Sequence, residues 1–184
     1  MGEDNENIST TYSGWIDLFG WGTGNNPTNT STNYEDYSTF VDWGNNVISN
    51  SNNNLWRTLS QSEWEYIYTH ARASDRYDDY CRVNGVKGML ILPDNFTLPD
   101  GLTYLPHASG GNNSYTLAEW VEMESNGAVF IPDAGYRWGT SYEQFVAVFW
   151  TSSFDPSDNE NAYGGGLLNP RVAGFSVRLV RDNN

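Results

Sequence analysis

The stretch Trp56-Arg57-Thr58-Leu59-Ser60-Gln61-Ser62-Glu63-Trp64-Glu65-Tyr66 combines a helix start with large apolar side chains. Ser60 and Glu63 have the spacing of a capping box, in which each side chain accepts a hydrogen bond from the backbone of the other residue. Apolar side chains then recur at i, i+3, i+4 and i+7, which is the spacing of one helix face. These side chains are Trp64, Ile67, Tyr68 and Ala71. The stretch therefore predicts a helix over about 61–73 with its apolar face toward a core.

A second segment repeats this helix-start pattern further along the chain. Thr116 and Glu119 have capping-box spacing, and apolar residues follow as far as Met123. Asn126-Gly127 then supplies residues that tolerate the left-handed backbone conformation in which helices often end. The pattern predicts a helix over about 117–125.

The other apolar runs are short and bounded by turn residues, as strands are. They cover residues 88–92, 128–131, 146–151 and 175–180, and the last run alternates in polarity. Two helices among many short strands predict the α+β class, with one small antiparallel sheet and long loops. We expect residues 1–11 to be a disordered or cloning-derived N-terminus and residues 12–184 to form one domain.

The charge balance excludes several classes of partner. The chain has 184 residues, with 9 Lys and Arg against 23 Asp and Glu and a formal net charge of -14. Nucleic acids and anionic membrane surfaces are bound by basic faces, so we expect neither as a partner. No apolar run approaches the roughly 18 residues of a transmembrane helix, so we expect no membrane insertion by this chain. The single cysteine, Cys81, excludes an internal disulfide and a cysteine-based zinc site.

Several segments together resemble a known family. The stretch 56–66 is similar to the helix-opening signature of the formylglycine-generating-enzyme-like branch of the C-type lectin fold. Gly174-Phe175-Ser176-Val177-Arg178-Leu179-Val180-Arg181 is similar to the closing strand of that branch. Residues 83–94, 123–130 and 149–153 resemble a large set of paralogous domains of gut bacteria. Within this group, the chain looks most like the variable proteins of diversity-generating retroelements, whose C-terminal stretch carries diversified ligand-contacting residues.

The resemblance spans about 14–182 and implies a C-type lectin fold, with a variable region at 135–181. This region mixes aromatic and small residues, which suits a binding surface because rigid rings supply area and short polar groups supply hydrogen bonds. The predicted ligand-binding residues are Trp138, Tyr142, Phe145, Ala147, Phe149, Phe154, Tyr163, Gly165, Leu167, Asn169, Arg171 and Val172. The alternative is that such rings fill the core beneath the loops. We expect that role for Trp150, Phe175 and Val177, whereas we expect exposure for Tyr142, Phe145, Tyr163, Asn169 and Arg171.

Catalytic sites have weak signals in this sequence. The enzymes of the resembled branch use reactive cysteines, whereas Cys81 stands at the start of an apolar strand, as a small buried side chain would. His70 and His107 have no second ligand at metal spacing, so we expect surface or hydrogen-bonded roles for both. We predict no catalytic residue and no bound cofactor.

Calcium is the metal that the sequence leaves open at low probability. Two groups of oxygen-bearing side chains would suit it. They are Asp155, Asp158, Asn159 and Glu160 in one loop, and Asp75, Asp78 and Asp79 in another. Neither group follows the spacing of an EF-hand loop. Pro93-Asp94 and Pro99-Asp100 are better explained as turns that end strands.

The sequence thus favours a recognition domain without catalysis, displayed on a cell surface or a phage particle. Its partner would be a protein or glycan ligand on a cell surface. Residues 1–11 lack the apolar core of a signal peptide, so we expect no export signal in this chain. The alternatives are a formylglycine-generating-enzyme-like enzyme, and a surface adhesin or structural domain without diversification.

Overall fold

The structure, a computed structural model, describes most of the chain after residue 55. The described residues are 42–45, 55–106, 112–138, 141–143, 147–155, 157, 161–165, 167–170 and 173–181, with the backbone alone for 79, 137–138 and 141–142. The predicted N-terminal segment 1–11 lies outside them. No helix in this part of the chain has the length and apolar character that crossing a bilayer would require.

Two α-helices form where the capping boxes predict them. Helix α1 is Gln61–Ala73 and helix α2 is Leu117–Ser125. At the start of α1, the Ser60 N–H donates to Glu63 Oε2 over 2.8 Å and the Glu63 N–H donates to Ser60 Oγ over 3.3 Å. Thr116 and Glu119 make the equivalent pair at the start of α2. Both helix predictions are therefore confirmed, together with the hydrogen bonds on which they rest.

Thirteen short strands lie in the described residues. They are β1 (Arg57–Thr58), β2 (Tyr77–Val83), β3 (Val86–Ile91), β4 (Ser114–Tyr115), β5 (Val129–Pro132), β6 (Tyr136–Trp138), β7 (Ser141–Glu143), β8 (Phe149–Phe154), β9 (Asn161–Gly164), β10 (Leu167–Pro170), β11 (Ala173–Gly174), β12 (Ser176–Val177) and β13 (Leu179–Val180). Two helices with several sheets confirm the α+β class. The prediction of one small antiparallel sheet differs from the structure, in which the described strands form four sheets and the β2–β4 and β8–β12 pairs are parallel.

The contacts within the chain divide it into two compact units. The first comprises Met1–Trp64, Gly135–Glu143 and Val148–Asn184, and the second comprises Glu65–Ala134 and Gln144–Ala147. The boundary falls within α1, whose residues 61–64 belong to the first unit.

The second unit is built on the sheet β4-β2-β3-β5, covered by α2. Strands β2 and β3 are joined by Asn84-Gly85, which both have positive φ (49° and 81°), as the tight turn of a two-residue hairpin requires. The buried core of this unit consists of Cys81, Val83, Leu90, Leu92, Tyr115, Trp120, Met123 and Ala128. Of the apolar residues of α2, only Trp120 and Met123 are buried, and Leu117 and Val121 are exposed.

The first unit holds the C-terminal strands. Its core contains Trp150, Ala162 and Ala173, and Phe175 and Val177 pack against it. The rings of Trp150 and Phe175 stack with centroids 4.4 Å apart. The predicted core role of Trp150, Phe175 and Val177 is therefore confirmed.

The predicted strand over 175–180 forms as separate short pieces. Strand β12 pairs with β8 in parallel, and β13 pairs with β1 in antiparallel orientation, so that Val177 lies opposite Trp150 and Val180 lies opposite Arg57. Each two-residue piece has a different partner. A local alternation of polar and apolar residues indicates extended backbone, but it does not specify these distant partners.

Candidate functional site

The described part of the predicted variable region includes a β-hairpin at the edge of a sheet. Strands β9 and β10 pair so that Tyr163 lies opposite Leu168 and Gly164 lies opposite Leu167. The sheet order is β10-β9-β8-β12, which places β10 at its edge. Gly165 has φ +58° at the turn, and its N–H donates to Phe149 O over 3.0 Å. That hydrogen bond attaches the hairpin turn to β8.

The first two residues of β10 are exposed leucines. Leu167 is 73% exposed and Leu168 is 45% exposed. Because successive side chains of a strand point to opposite faces, an apolar side chain stands on each face of this edge strand. Tyr163 is half-buried and lies directly opposite Leu168, within the range at which cross-strand side chains meet. We call Tyr163, Gly165, Leu167, Leu168 and Asn169 together the β10 edge.

The strand behind the β10 edge is held firmly on the core. Ala162 of β9 is fully buried, and the position of Gly164 leaves no room for a side chain. A Cβ atom at Gly164 would lie 2.7 Å from the ring of Phe175, so close packing of that ring requires glycine here. The Thr151 hydroxyl also donates to Tyr163 O over 2.8 Å. The β10 edge is therefore supported by a neighbouring strand, β9, that is tightly packed against the core.

Asn169 holds the hairpin rather than pointing freely outward. Its Nδ2 donates to Gly164 O over 3.0 Å and to Leu167 O over 2.8 Å. The first of these hydrogen bonds connects the two strands beside the turn, and the second lies within β10. Asn169 is half-buried, so it contributes to the shape of the β10 edge more than to its free polar surface.

The remaining predicted binding residues have mixed placements. Phe149 is 1% exposed and its ring lies 4.4 Å from that of Trp64, so it belongs to the interior and is corrected from a surface contact to a core residue. Phe154 is half-buried against the Trp150 core, and Ala147 is half-buried in the second unit.

Five predicted residues have no described side chain. The backbones of Trp138 and Tyr142 lie in the paired strands β6 and β7. Phe145, Arg171 and Val172 lie outside the described residues. The predicted exposure of Tyr142, Phe145 and Arg171 therefore stays a prediction.

Leu168 is the residue of the β10 edge that sequence reasoning missed. Leu167 and Leu168 are adjacent and follow three consecutive glycines in the sequence, Gly164-Gly165-Gly166. Because β10 lies at the edge of its sheet, both leucines are exposed, whereas a half-buried strand would hide one of them. The adjacent pair after a glycine run was the available signal.

The thiol of Cys81 is enclosed in the core of the second unit. It is unpaired and 0% exposed. Burial, assisted by the negative charge of Asp78, raises the pKa of the Cys81 thiol to about 12. A thiol that stays protonated and buried is a poor nucleophile, and this placement agrees with the predicted role of Cys81 as a small buried side chain.

Asp78 is buried and fully engaged, so it does not stand among free calcium ligands. Asn113 Nδ2 donates to Asp78 Oδ2 over 2.5 Å, and the Tyr80 N–H donates to Asp78 Oδ1 over 2.9 Å. Asn113 also exchanges hydrogen bonds with the backbone of Leu105, over 2.9 and 2.8 Å. Asp78 and Asn113 are each 2% exposed, and together they fasten the segment at Leu105 to β2.

The other calcium candidates are only partly described. Asp155 Oδ1 accepts hydrogen bonds from the hydroxyl and the N–H of Ser157, and these bonds hold the pKa of Asp155 below its usual range. Residues 158–160 lie outside the described residues. Within the described ranges, no group of three or more His, Cys, Asp or Glu side chains could hold a metal ion. The described residues do not test whether calcium binds in this loop, which the sequence leaves open.

The two proline-aspartate pairs form turns, as the sequence predicts. The Phe96 N–H donates to Pro93 O, and the Leu102 N–H donates to Pro99 O. His70 is exposed on α1, and His107 lies outside the described residues.

The chain was compared with protein-family models, curated proteins and solved structures, and no match was found in any of the three comparisons.

Proposed function

We propose that the chain is a non-catalytic recognition domain that binds a protein ligand through the β10 edge. The observation that carries this proposal is the exposure of two adjacent leucines on an edge strand. Full burial of a leucine side chain contributes about 1.5–3 kcal/mol, and most of that contribution is still available at Leu167. A ligand that covers both leucines would gain this free energy of burial on binding.

The backbone of β10 offers a second contribution. Among the described strands, β10 pairs only with β9, so its outer side has no strand partner in this part of the chain. An extended peptide segment can add to such an edge, with its backbone supplying hydrogen bonds and alternate side chains supplying specificity. Aliphatic side chains on an edge strand suit a protein ligand better than a glycan, which is usually held by polar groups and aromatic faces. We therefore favour protein among the two classes of ligand.

Two observations support a function without catalysis: the candidate thiol is buried, and two candidate carboxylates are engaged in helix caps. Cys81 is buried and protonated, so the thiol chemistry of a formylglycine-generating-enzyme-like enzyme has no accessible nucleophile in the described residues. Glu63 and Glu119, two helix-start carboxylates, are engaged in capping their helices. The enzyme alternative therefore has less support than recognition.

The finer part of the proposal is that the domain has the C-type lectin fold and is a variable protein of a diversity-generating retroelement. Its support is the resemblance of residues 56–66 and 174–181, and the position of the β10 edge inside 135–181. Surface display on a cell or a phage particle belongs to the same proposal. A neighbouring reverse transcriptase gene, with a near-identical template repeat of the codons for 135–181, would support it. A genome without both would favour a non-diversified surface adhesin.

The binding proposal is tested with a displayed library of random peptides. Clones selected on the wild-type chain are re-tested on the Leu167→Glu/Leu168→Glu variant. The matched control is Leu117→Glu/Val121→Glu, which makes the same change in charge at two exposed apolar residues of α2.

We expect the β10 variant to lose at least about tenfold in affinity for the selected clones, because two apolar contacts are replaced by charges. The control variant should bind as the wild type does. Equal binding by both variants, or no saturable clone at all, would contradict the proposal. Because all four side chains are exposed, the melting temperatures of both variants should stay close to that of the wild type.

A further inference from the structure

A cleft of about 260 Å³ lies in the second unit, and its lining includes no residue of the β10 edge. Its lining comes from α1, from the end of β3 with the turn that follows, and from the segment between α2 and β5. Buried residues form its floor and partly buried apolar side chains form its walls. These residues are Ala71 and Leu92 in the floor, and Ile67, Ile91, Pro93 and Val129 in the walls.

One wall of the cleft depends on a glycine, because a larger residue at this position would contact the neighbouring wall residue too closely. Gly127 has φ +93°, which favours glycine, and it ends α2. A Cβ atom there would lie 3.1 Å from Pro93 Cγ, closer than ordinary van der Waals contact. The Pro93 ring can therefore stand against the turn after α2, and both residues line the cleft.

The charged side chains of Arg76 and Asp94 in the lining form an ion pair, while the Arg76 Nε is buried without a hydrogen-bond partner in the described residues. Arg76 Nη2 lies 2.6 Å from Asp94 Oδ1, and Arg76 Nη1 donates to Asp94 O over 3.2 Å. His70 Nε2 lies 3.5 Å from the same Asp94 oxygen. Because the charge of the one guanidinium in the lining is offset by the charge of the one carboxylate, a charged ligand would find no uncompensated counter-ion. This pairing favours a neutral ligand.

An aromatic face stands at the mouth of the cleft. The rings of Tyr66 and His70, one helical turn apart on α1, are stacked with centroids 5.2 Å apart and planes inclined by 13°. Tyr66 is 65% exposed, so one side of this stack is open. A flat ring entering the cleft could contact the apolar floor with its body and the stacked pair with its edge or face.

The volume sets the size of the ligand. A dry apolar cavity of about 150 Å³ is enough to bind benzene. The cleft is larger, and apolar side chains make up most of its lining. We infer that this cleft is a second binding site, which takes a neutral, flat aromatic molecule of one or two rings, such as phenol or indole. The inference goes beyond recognition at the β10 edge and does not depend on it.

Fluorine NMR of the full chain with 5-fluoroindole tests this inference. A ligand of this size held by apolar contacts should bind with a dissociation constant on the order of 1 mM. Indole and phenol should displace the probe. Benzoate and tryptamine, which carry a charge, should bind at least about tenfold more weakly than their neutral counterparts.

Two variants locate the site. Ile67→Trp places a large ring in the cleft and should weaken binding at least about tenfold. Tyr66→Ala removes the aromatic face at the mouth and should weaken binding several-fold. The matched control is Tyr80→Ala, which removes another exposed tyrosine of the second unit that does not line the cleft. Tyr80→Ala should bind the probe as the wild type does.

Shifts of the backbone amide signals of the wild-type chain, measured as the probe is added, locate the site without relying on the folding of any variant. The probe should shift the signals of Gly127 and Val129, which line the cleft, more than those of exposed residues elsewhere. Equal weakening by Tyr66→Ala and Tyr80→Ala, unchanged binding by folded Ile67→Trp, or shifts confined to other segments would overturn the site. Tighter binding of benzoate or tryptamine would overturn the neutral class of ligand. If the probe shows no saturable binding at a concentration of about tenfold the expected dissociation constant, both the site and the class of ligand would be overturned.

Discussion

Replacing Glu63 by alanine should destabilise the first unit by about 1.5 kcal/mol. Glu63 makes two separate contributions. Its Oε2 accepts from the Ser60 N–H over 2.8 Å and from the Ser60 hydroxyl over 2.9 Å, which completes the capping box of α1. It also forms a two-pronged ion pair with Arg57, whose Nη2 lies 2.8 Å from Oε1 and whose Nη1 donates to Oε2 over 2.9 Å.

The magnitude is the sum of two modest terms. Loss of the hydrogen bonds that the Glu63 carboxylate accepts from Ser60 costs about 1 kcal/mol, which is the typical net contribution of a hydrogen bond. An exposed ion pair contributes roughly 0.2–1 kcal/mol, and a middle value of about 0.5 kcal/mol is appropriate here because both side chains are 39% exposed and screened by water. For a chain of this size, the total lowers the melting temperature by about 3–6 °C.

The assay is urea unfolding of four chains: wild type, Glu63→Ala, Arg57→Met and the double variant. The double-mutant cycle should give a coupling free energy of about 0.5 kcal/mol between Arg57 and Glu63, smaller in high salt. Glu119→Ala is the comparison variant, because Glu119 caps α2 through Thr116 and has no arginine partner among its hydrogen bonds. Glu119→Ala should therefore be the milder of the two glutamate variants.

The pH dependence has a definite sign. The hydrogen bond from Arg57, followed by those from Ser60, holds the pKa of Glu63 below the ordinary glutamate value of 4.5. A carboxylate with a lowered pKa in the folded state stabilises the fold above its unfolded pKa and loses that contribution as the pH falls through the folded pKa. The difference between wild type and Glu63→Ala should thus be full at neutral pH and shrink below about pH 4.5. A difference that grows in acid, or a coupling energy of zero at low salt, would refute the assignment of these contacts.

The buried pair beneath Leu105 gives a second prediction: Asn113→Ala should destabilise the chain by about 3 kcal/mol in urea unfolding, because it leaves the buried carboxylate of Asp78 without its side-chain donor. If adding Asp78→Ala to the Asn113→Ala variant recovers the lost stability, the unpaired carboxylate is the cause of the loss. A loss of stability below about 0.5 kcal/mol in Asn113→Ala would contradict the pairing. Cys81 gives a third prediction: with a pKa of about 12 and no exposed surface, its thiol should resist Ellman's reagent at pH 8 in native buffer and react fully in denaturant. Rapid labelling of the native chain would show that the core of the second unit opens readily.

The helices could be predicted from the sequence because their determinants are local. Ser60 with Glu63, and Thr116 with Glu119, lie within one helical turn of each other, so the spacing alone specifies the hydrogen bonds that form. The end of α2 at Gly127 follows from the same kind of local rule. The turns at Pro93 and Pro99 do as well.

The sheets and the sites depend on partners that are distant in sequence. Leu167 could be predicted as a binding residue because it lies in the aromatic- and glycine-rich region 135–181. The exposure of Leu168 depends on the place of β10 at the edge of its sheet. Phe149 belongs to the same aromatic-rich region and is buried, because its ring meets Trp64, a residue far back in the chain. Likewise, the rim of the cleft exists only because His70 and Asp94 meet when α1 packs beside the end of β3. No spacing rule connects these pairs.

The pairing of β1 with β13 also sets the order of events during synthesis. Arg57 pairs with Val180, so β1 has no sheet partner among the described strands until that distant residue has left the ribosome. At about 5–20 residues per second, the interval is on the order of ten seconds. Until then the strand pairing of β1 is missing, although the Thr58 N–H already has the Asp42 carboxylate as its acceptor. The stretch that starts the first helix thus contains the strand whose sheet partner is synthesised last among the described strands.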